Sequence, residues 1–386
     1  MPQAWVCFPG APYTQRAALA AAQKVLEPHT WKVENGMQKP PSNADEAPRG
    51  RDAYIADYDV LPFDTLLGSQ QLCSSYVIRK ALIRKHFLAQ AIHTANVKRG
   101  VDESMIPRTW TLDIQFADEL DELLADDLYD LRTMLEDNEN KGDKTWFILK
   151  PGMTDQANGI RLFASVEQLH DIFKEFEDTE DSASDGDDAV MASQLRHFVV
   201  QEYISLPLLV APGEPHAAPR KFHLRAYVIC VGGLKVFLHD DILALFASTA
   251  YVPPQGNRID MLGHLSNTCV GERHAARGGI SASEANVFLW QELEGKPATI
   301  PGGPSVIMTR EHVNQVHRAA VHVLGTAFGA VAREASIHWQ MWPNAFEIFG
   351  VDLMVGCAPG TTIPTPDSLR VWLLEINAVR LQLSTD

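Results

Sequence analysis

Apolar and polar positions recur with two different periods along this chain, and each change of period marks an element. Trp5-Val6-Cys7-Phe8 reads as a strand, and the Ala-rich stretch from Thr14 to Leu26 reads as a helix. The Pro- and polar-rich segment from Lys39 to Gly50 is a loop. Tyr76 to Ile92 predicts an amphipathic helix whose stripe includes Val77, Ala81, Leu82 and Leu88, punctuated by Arg79, Lys80, Arg84 and Lys85. Strands dominate further on: Trp146–Lys150, Ile160–Phe163 and Phe198–Gln201, with a helix at Val166–Phe176. Lys221–Val231 and Leu234–His239 flank Gly232-Gly233, the pattern of a hairpin. A helix at His312–Val331 and strands at Phe346–Val355 and Val371–Asn377 complete the reading. Strands joined both by hairpins and by crossing helices predict an α+β fold rather than a purely parallel sheet.

The length of 386 residues suggests two or three packed lobes. The expected division is an N-terminal α/β lobe at 1–75, a central lobe at 76–203 and a C-terminal lobe at 204–386. Hydrophobic residues at 46% and charged residues at 21% exclude a disordered, collagenous or coiled-coil chain. The net charge of −16 removes the counterion-release drive for non-specific nucleic-acid binding, so no direct nucleic-acid partner is expected. Asp113 to Asp143 holds twelve acidic and two basic residues among Leu and Phe at helical spacing, which predicts an acidic amphipathic helix, either solvated or a docking face. A second acidic tract, Glu175 to Asp188, lacks large apolar residues after Phe176 and reads as a mobile insertion. No apolar run of about 18 residues predicts a membrane span. The opening residues lack the basic and apolar regions of a secretory signal. Five scattered cysteines without a CxxC fit a reducing compartment better than a disulfide framework or a zinc site, so a cytoplasmic location is expected.

The candidate chemistry starts near the C-terminus. Val371-Trp372-Leu373-Leu374-Glu375-Ile376-Asn377 is an apolar strand that ends on a carboxylate and an amide, and period two puts Glu375 and Asn377 on one face. Asp352 sits in the similarly apolar Phe346–Val355. Buried polar groups need partners. Hard oxygen donors on neighbouring strands suit Mg²⁺, which is held by one or two carboxylates plus substrate phosphates. The alternative is polar hairpin ends facing solvent. Lys150 closes an apolar strand, where a compact positive charge suits a phosphate. Gly152 and Gly159 bracket a polar turn whose backbone N–H groups could cover phosphates, although no P-loop signature is present. Lys221, His223 and Arg225 share one face of a strand, which suits a bound anion above them or a solvated sheet face. Together these residues are the parts for positioning ATP–Mg²⁺ and neutralising a transferring phosphoryl group. No close His pair on a helix face suggests a zinc hydrolase, and no G-x-S-x-G elbow suggests a serine hydrolase.

The ordered set Phe147-Ile148-Leu149-Lys150-Pro151, Asn158-Gly159-Ile160, Gln201-Glu202-Tyr203-Ile204, Lys221-x-His223-x-Arg225, His264-Leu265-Ser266-Asn267, Phe349-Gly350-Val351-Asp352 and Leu374-Glu375-Ile376-Asn377 resembles the tubulin-tyrosine ligase-like family, from about Ser75 onward. The resemblance is strongest to its fungal, P-body-associated branch. It implies an ATP-grasp fold of three lobes, with the nucleotide held between two mixed sheets. It implies ATP- and Mg²⁺-dependent ligation, in which a carboxylate is phosphorylated to an acyl phosphate that an amine then attacks. By this resemblance Lys150 meets the α/β-phosphates, and Gln201, Glu202, Tyr203 and Ile204 form the adenine hinge. Lys221 and His223 contact the nucleotide, Lys221, Arg225 and Asn267 act at the reaction centre, and Asp352, Glu375 and Asn377 hold the metal. The implied partners are ATP and a protein, either a tubulin tail or an mRNA-decay (decapping) factor, with P-bodies as a location. The chain departs from the family pattern at His223, where an Asp that reaches the ribose is usual, and at Leu243-Ala244-Leu245, where a substrate-side Arg is usual. These departures keep open a second reading, an ATP-grasp module with impaired ligation that docks a partner. Arg79, Lys80, Arg84, Lys85, Lys98 and Arg99 are the candidate basic patch for an acidic peptide.

Overall fold

A computed structural model describes residues 1–114, 116–151, 159–182, 197–213, 218–256, 259–266 and 286–378. Three sheets follow one another along the chain. The first contains β1 (Gln3–Cys7), β2 (Lys32–Asn35), β3 (Ala53–Ala56) and β4 (Leu72–Cys73) in the order β2-β1-β3-β4, all parallel. Helix α1 (Pro12–Leu26) follows β1 and begins with proline, whose fixed φ suits a first helical turn. Trp5 and Tyr54 pack edge to face at 6.0 Å in the core of this lobe. A short helix, α2 (Phe63–Leu66), buries Leu66 there.

The expected helix at Tyr76–Ile92 starts later and is broken. Arg84 adopts an extended conformation (φ −110°, ψ 116°) and separates α3 (Lys80–Ile83) from α4 (Lys85–Arg99), which ends at left-handed Gly100 (φ 66°). Tyr76, Leu82, Ile92 and Met105 join the core under the third sheet, so residues 76–106 pack there rather than on the strands that follow them.

The second sheet contains β5 (Thr109–Asp113), β6 (Phe147–Pro151), β7 (Arg161–Phe163) and β8 (His197–Glu202) in the order β5-β8-β6-β7, all antiparallel. The acidic segment expected as one helix forms two, α5 (Leu120–Ala125) and α6 (Tyr129–Asp137), because Asp126 leaves helical geometry (φ −119°, ψ −91°). Leu120, Leu124, Leu131 and Leu135 still point inward against Phe147 and Phe163, so the carboxylates line the outer face. Helix α7 (Val166–Ser182) runs six residues past its expected end, since Glu and Asp extend a helix without adding core. The rest of the second acidic tract, read as a mobile insertion, lies outside the described residues, as does the polar turn after Gly152.

The third sheet is nine-stranded: β9 (Leu209–Val210), β10 (Arg220–Val231), β11 (Lys235–Leu238), β12 (Leu243–Phe246), β13 (Val287–Leu289), β14 (Pro297–Thr299), β15 (Val306–Ile307), β16 (Phe346–Cys357) and β17 (Leu369–Ala378). The β10–β11 pair is the hairpin read from Gly232-Gly233. β10 also pairs antiparallel with β16, and β16 with β17. Helix α8 (Arg310–Glu334) covers one face through Val313, Val316, Ala320, Val323, Ala327 and Val331, an uninterrupted three-to-four spacing. One isolated bridge, Cys73 to Ala345, ties the first sheet to the residue before β16, and a second, Pro207 to Gly356, joins the lead into β9 to β16. Among the described residues no helix is long and apolar enough to cross a membrane.

Candidate functional site

Strand register builds this site. Arg225 on β10 faces Asp352 on β16, and Asp352 faces Glu375 on β17. Between Asp352 and Leu353 the register shifts, leaving Leu374 as an extra residue on β17. Val371 and Leu373 point into the core before this bulge and Ile376 after it, so Glu375 and Asn377 are freed for the opposite face. Pure alternation from Val371 would have aimed Glu375 into the core. Facing these strands across a cleft of about 290 Å³ are the ends of β6 and β8.

Ten of the twelve residues singled out from the sequence line this cleft: Lys150, Gln201, Glu202, Tyr203, Ile204, Lys221, His223, Asp352, Glu375 and Asn377. Apolar side chains of Ile148, Ile160, Met354 and Leu374 complete its wall. Arg225 stands behind the lining, with its guanidinium bidentate on Asp352 (Nε to Oδ1 2.5 Å, Nη2 to Oδ2 3.0 Å). Asn267 lies outside the described residues.

Lys221 is buried and Lys150 half-buried, each with a neutral hydrogen-bond partner. Lys150 Nζ donates to Gln201 Oε1 at 2.6 Å, and Gln201 is fixed in turn by donating to Thr109 Oγ1. Lys221 Nζ donates to the Tyr203 hydroxyl at 2.8 Å, and that hydroxyl lies 2.8 Å from His264 Nδ1. Burial lowers Lys150 to about 8. Burial and the charge of Lys150 lower Lys221 to about 7. Burial and Lys221 also lower His264 to about 4, so its neutral ring accepts the Tyr203 proton while the hydroxyl accepts from Lys221. Two ammonium groups lining one cleft, each made costly to keep charged by burial, make a strong attractor for a multiply charged anion.

The carboxylates lie opposite. Burial pushes Asp352 up to about 7, against the pull of Arg225. Burial also disfavours ionised Glu375, but Lys85, at 2.5 Å from Oε2, outweighs it and holds that carboxyl well below the usual range. Asn377 Nδ2 donates to Glu375 Oε1 at 3.1 Å. His223 is 4% exposed, and burial followed by the charge of Arg225 lowers it to about 3, which leaves the ring neutral. Its Nδ1 meets Ser266 Oγ at 2.7 Å, and its Nε2 has no hydrogen-bond partner among the described residues. Among the described residues no three His, Cys, Asp or Glu side chains form a preformed metal cage. Two carboxylates and an amide nevertheless match the hard-oxygen donor set of a magnesium ion completed by phosphates.

Lys85 is the site residue that sequence reasoning missed. It was read as part of a surface basic patch, and nothing local signals that the first residue of α4 reaches the last strand. The patch itself is only partly neutralised: Arg79 pairs with Glu347 at 2.9 Å, Lys85 with Glu375 at 2.5 Å, and Lys98 and Arg99 share Glu334, at 3.2 and 2.7 Å, so in these pairs three carboxylates meet four of the six cations.

Residues 67–379 match the model of the tubulin-tyrosine ligase family. A probable tubulin–tyrosine ligase of Schizosaccharomyces pombe is 35% identical, over 84% of this chain and 75% of the relative. The probable tubulin–tyrosine ligase PBY1 of Saccharomyces cerevisiae is 34% identical over 84% of this chain, which spans 42% of that longer protein. Among solved structures, the C-terminal domain of K. lactis Pby1, described as an ATP-grasp enzyme interacting with the mRNA decapping enzyme Dcp2, superposes with a TM-score of 0.63 at 28% identity. That match covers 100% of this chain and 88% of the solved one. The chain belongs to the tubulin-tyrosine ligase family and has its ATP-grasp fold, which makes ATP the ligand that the cleft implies.

Proposed function

We propose that this protein is an ATP- and Mg²⁺-dependent carboxylate–amine ligase that joins an amino acid to a protein through an acyl phosphate. The observation that carries the reading is the meeting of Lys150 and Lys221 with Asp352 and Glu375 around one cleft between two sheets. Lys150 and Lys221 hold phosphate oxygens by charge, and the Gln201–Ile204 segment meets the base between the apolar side chains of Ile148 and Leu374. Asp352, Glu375 and Asn377 hold the magnesium ion, which when bound neutralises phosphate charge and polarises the phosphoryl oxygens. Arg225 fixes the Asp352 carboxylate, and its partly exposed guanidinium supplies charge beside the phosphoryl group; by the family resemblance Asn267 acts with it at the reaction centre. The working division is an N-terminal lobe at 1–75, a central lobe at 76–203, of which residues 76–106 pack on the third sheet, and a C-terminal lobe at 204–386, in the cytoplasm.

A denaturation scan with ATP–Mg²⁺, with ADP and without ligand tests this. Ligand at a hundred times its Kd should add about 2.7 kcal/mol of stability. Lys150→Ala removes a charged hydrogen bond of about 1.5–3 kcal/mol, a loss of about 10- to 100-fold in affinity. Glu375→Gln should abolish the Mg²⁺-dependent part of the protection. Unchanged affinity in Lys150→Ala removes that lysine from the site, and full protection in Glu375→Gln removes the metal role.

The second reading, a module that docks an mRNA-decay factor in P-bodies, is favoured by the partner of K. lactis Pby1 and by the partial pairing of the basic patch, which lowers the charge left to recruit an acidic tubulin tail. ADP release that depends on an added amino acid and acceptor supports ligation. Its absence, with a decapping enzyme still retained by the chain, supports docking.

A further inference from the structure

His223 presents a feature that nucleotide positioning by Lys150 and Lys221 does not use. It sits on the cleft face of β10, one alternation from each of Lys221 and Arg225. Its Nδ1 is anchored on Ser266 Oγ, which fixes the ring plane. Its Nε2 is buried, without a hydrogen-bond partner among the described residues, and 3.5 Å from Asp352 Oδ1. That spacing is too long for an N–H···O hydrogen bond, which ends near about 3.2 Å. It is close to the separation of two donors that share one cation, because ligands about 2.1 Å from a metal lie about 3.0–3.4 Å apart. Arg225 occupies one lone pair on Oδ1 and leaves the other available. Ser266 Oγ can accept from Nδ1–H, which leaves the Nε2 lone pair bare, the tautomer that such a role requires.

We propose that His223 Nε2 is a ligand, beside Asp352 Oδ1, of the divalent cation that accompanies the nucleotide, so that this chain favours a cation accepting an imidazole nitrogen, such as Mn²⁺, over Mg²⁺. Imidazole suits transition metals, whereas an all-oxygen set suits magnesium. The pair is no cage by itself; Glu375 and the phosphates supply the remaining donors and charge. The inference rests on the nucleotide reading above.

The test uses the whole chain with Mn²⁺ and a non-hydrolysable ATP analogue, and two readouts. Calorimetry should give Mn²⁺–analogue binding at least about tenfold tighter than Mg²⁺–analogue binding, with the ratio falling to within about threefold in His223→Asp, which restores an oxygen donor. Electron spin-echo spectroscopy of the bound Mn²⁺ should show coupling to an imidazole nitrogen, absent in His223→Asn. The wild-type spectrum decides even if either variant fails to fold. Binding of Mn²⁺–analogue without nitrogen coupling overturns the His223 assignment and leaves the nucleotide site standing. No binding of analogue with either cation overturns both.

Discussion

Lys150 and Lys221 are held where charge is expensive, and this sets how the protein should respond to pH. Both titrate below an ordinary lysine, Lys150 at about 8 and Lys221 at about 7, chiefly through burial. The folded state therefore binds fewer protons than the unfolded chain above those values. The part of the stability that these two lysines set should rise with pH from about 7–8 towards the ordinary lysine range near about 10.4 and be flat below about 7. A triphosphate favours the protonated amines, so ATP binding near pH 8 should draw protons from solution. Calorimetry in buffers of different ionisation enthalpy reads this directly, and buffer-independent heats would mean that neither lysine meets the phosphates. At this scale the alternation of Lys221, His223 and Arg225 was legible, because a strand has one period and two faces. Lys85 was not, because its partner Glu375 lies at the other end of the chain and no local pattern encodes a contact of that range.

At the scale of elements, the long helices and eight of the seventeen described strands fall where periodicity puts them; β2–β5, β9 and β12–β15, of two to five residues each, are too short to show a period, and two expected helices break where one residue leaves regular geometry. Arg84 splits one expected helix and Asp126 another. Neither position carries Gly or Pro, the usual marks of a break, so tertiary packing decides it. The bulge at Leu374 is equally silent in the sequence, yet it decides which face Glu375 presents. Gly356 on β16 supplies a test of how tightly such elements are joined. A Cβ there would lie 2.5 Å from the Leu206 carbonyl oxygen and 3.1 Å from the Trp372 ring. Gly356→Ala should destabilise the protein by about 1–3 kcal/mol through forced displacement at this crossing. Urea denaturation measures it, and a change below 0.5 kcal/mol, the scale of an ordinary surface substitution, would show that the crossing yields freely.

For the whole molecule, composition and period were enough for the α+β class, but not for where residues 76–106 pack. Their apolar stripe reads the same whichever sheet it covers, and they join the core of the third. The cleft has walls from the second and third sheets, so bound nucleotide should restrain both. Hydrogen exchange with and without ATP should slow at β6 and β8 as well as at β16 and β17. Slowing confined to one wall would mean that the ligand does not bridge them.

Strand β16 connects all of these parts. Just before its first residue, Ala345 bridges to Cys73 of the first sheet; Glu347 accepts from the Tyr76 backbone N–H at 3.0 Å and pairs with Arg79. Midway along it lies Asp352, and near its end Gly356 bridges to Pro207, just beyond the second sheet. A load placed on the N-terminal lobe, for instance by a bound protein, thus reaches the Asp352 carboxylate along one continuous hydrogen-bonded ribbon, with no loop in between to absorb it.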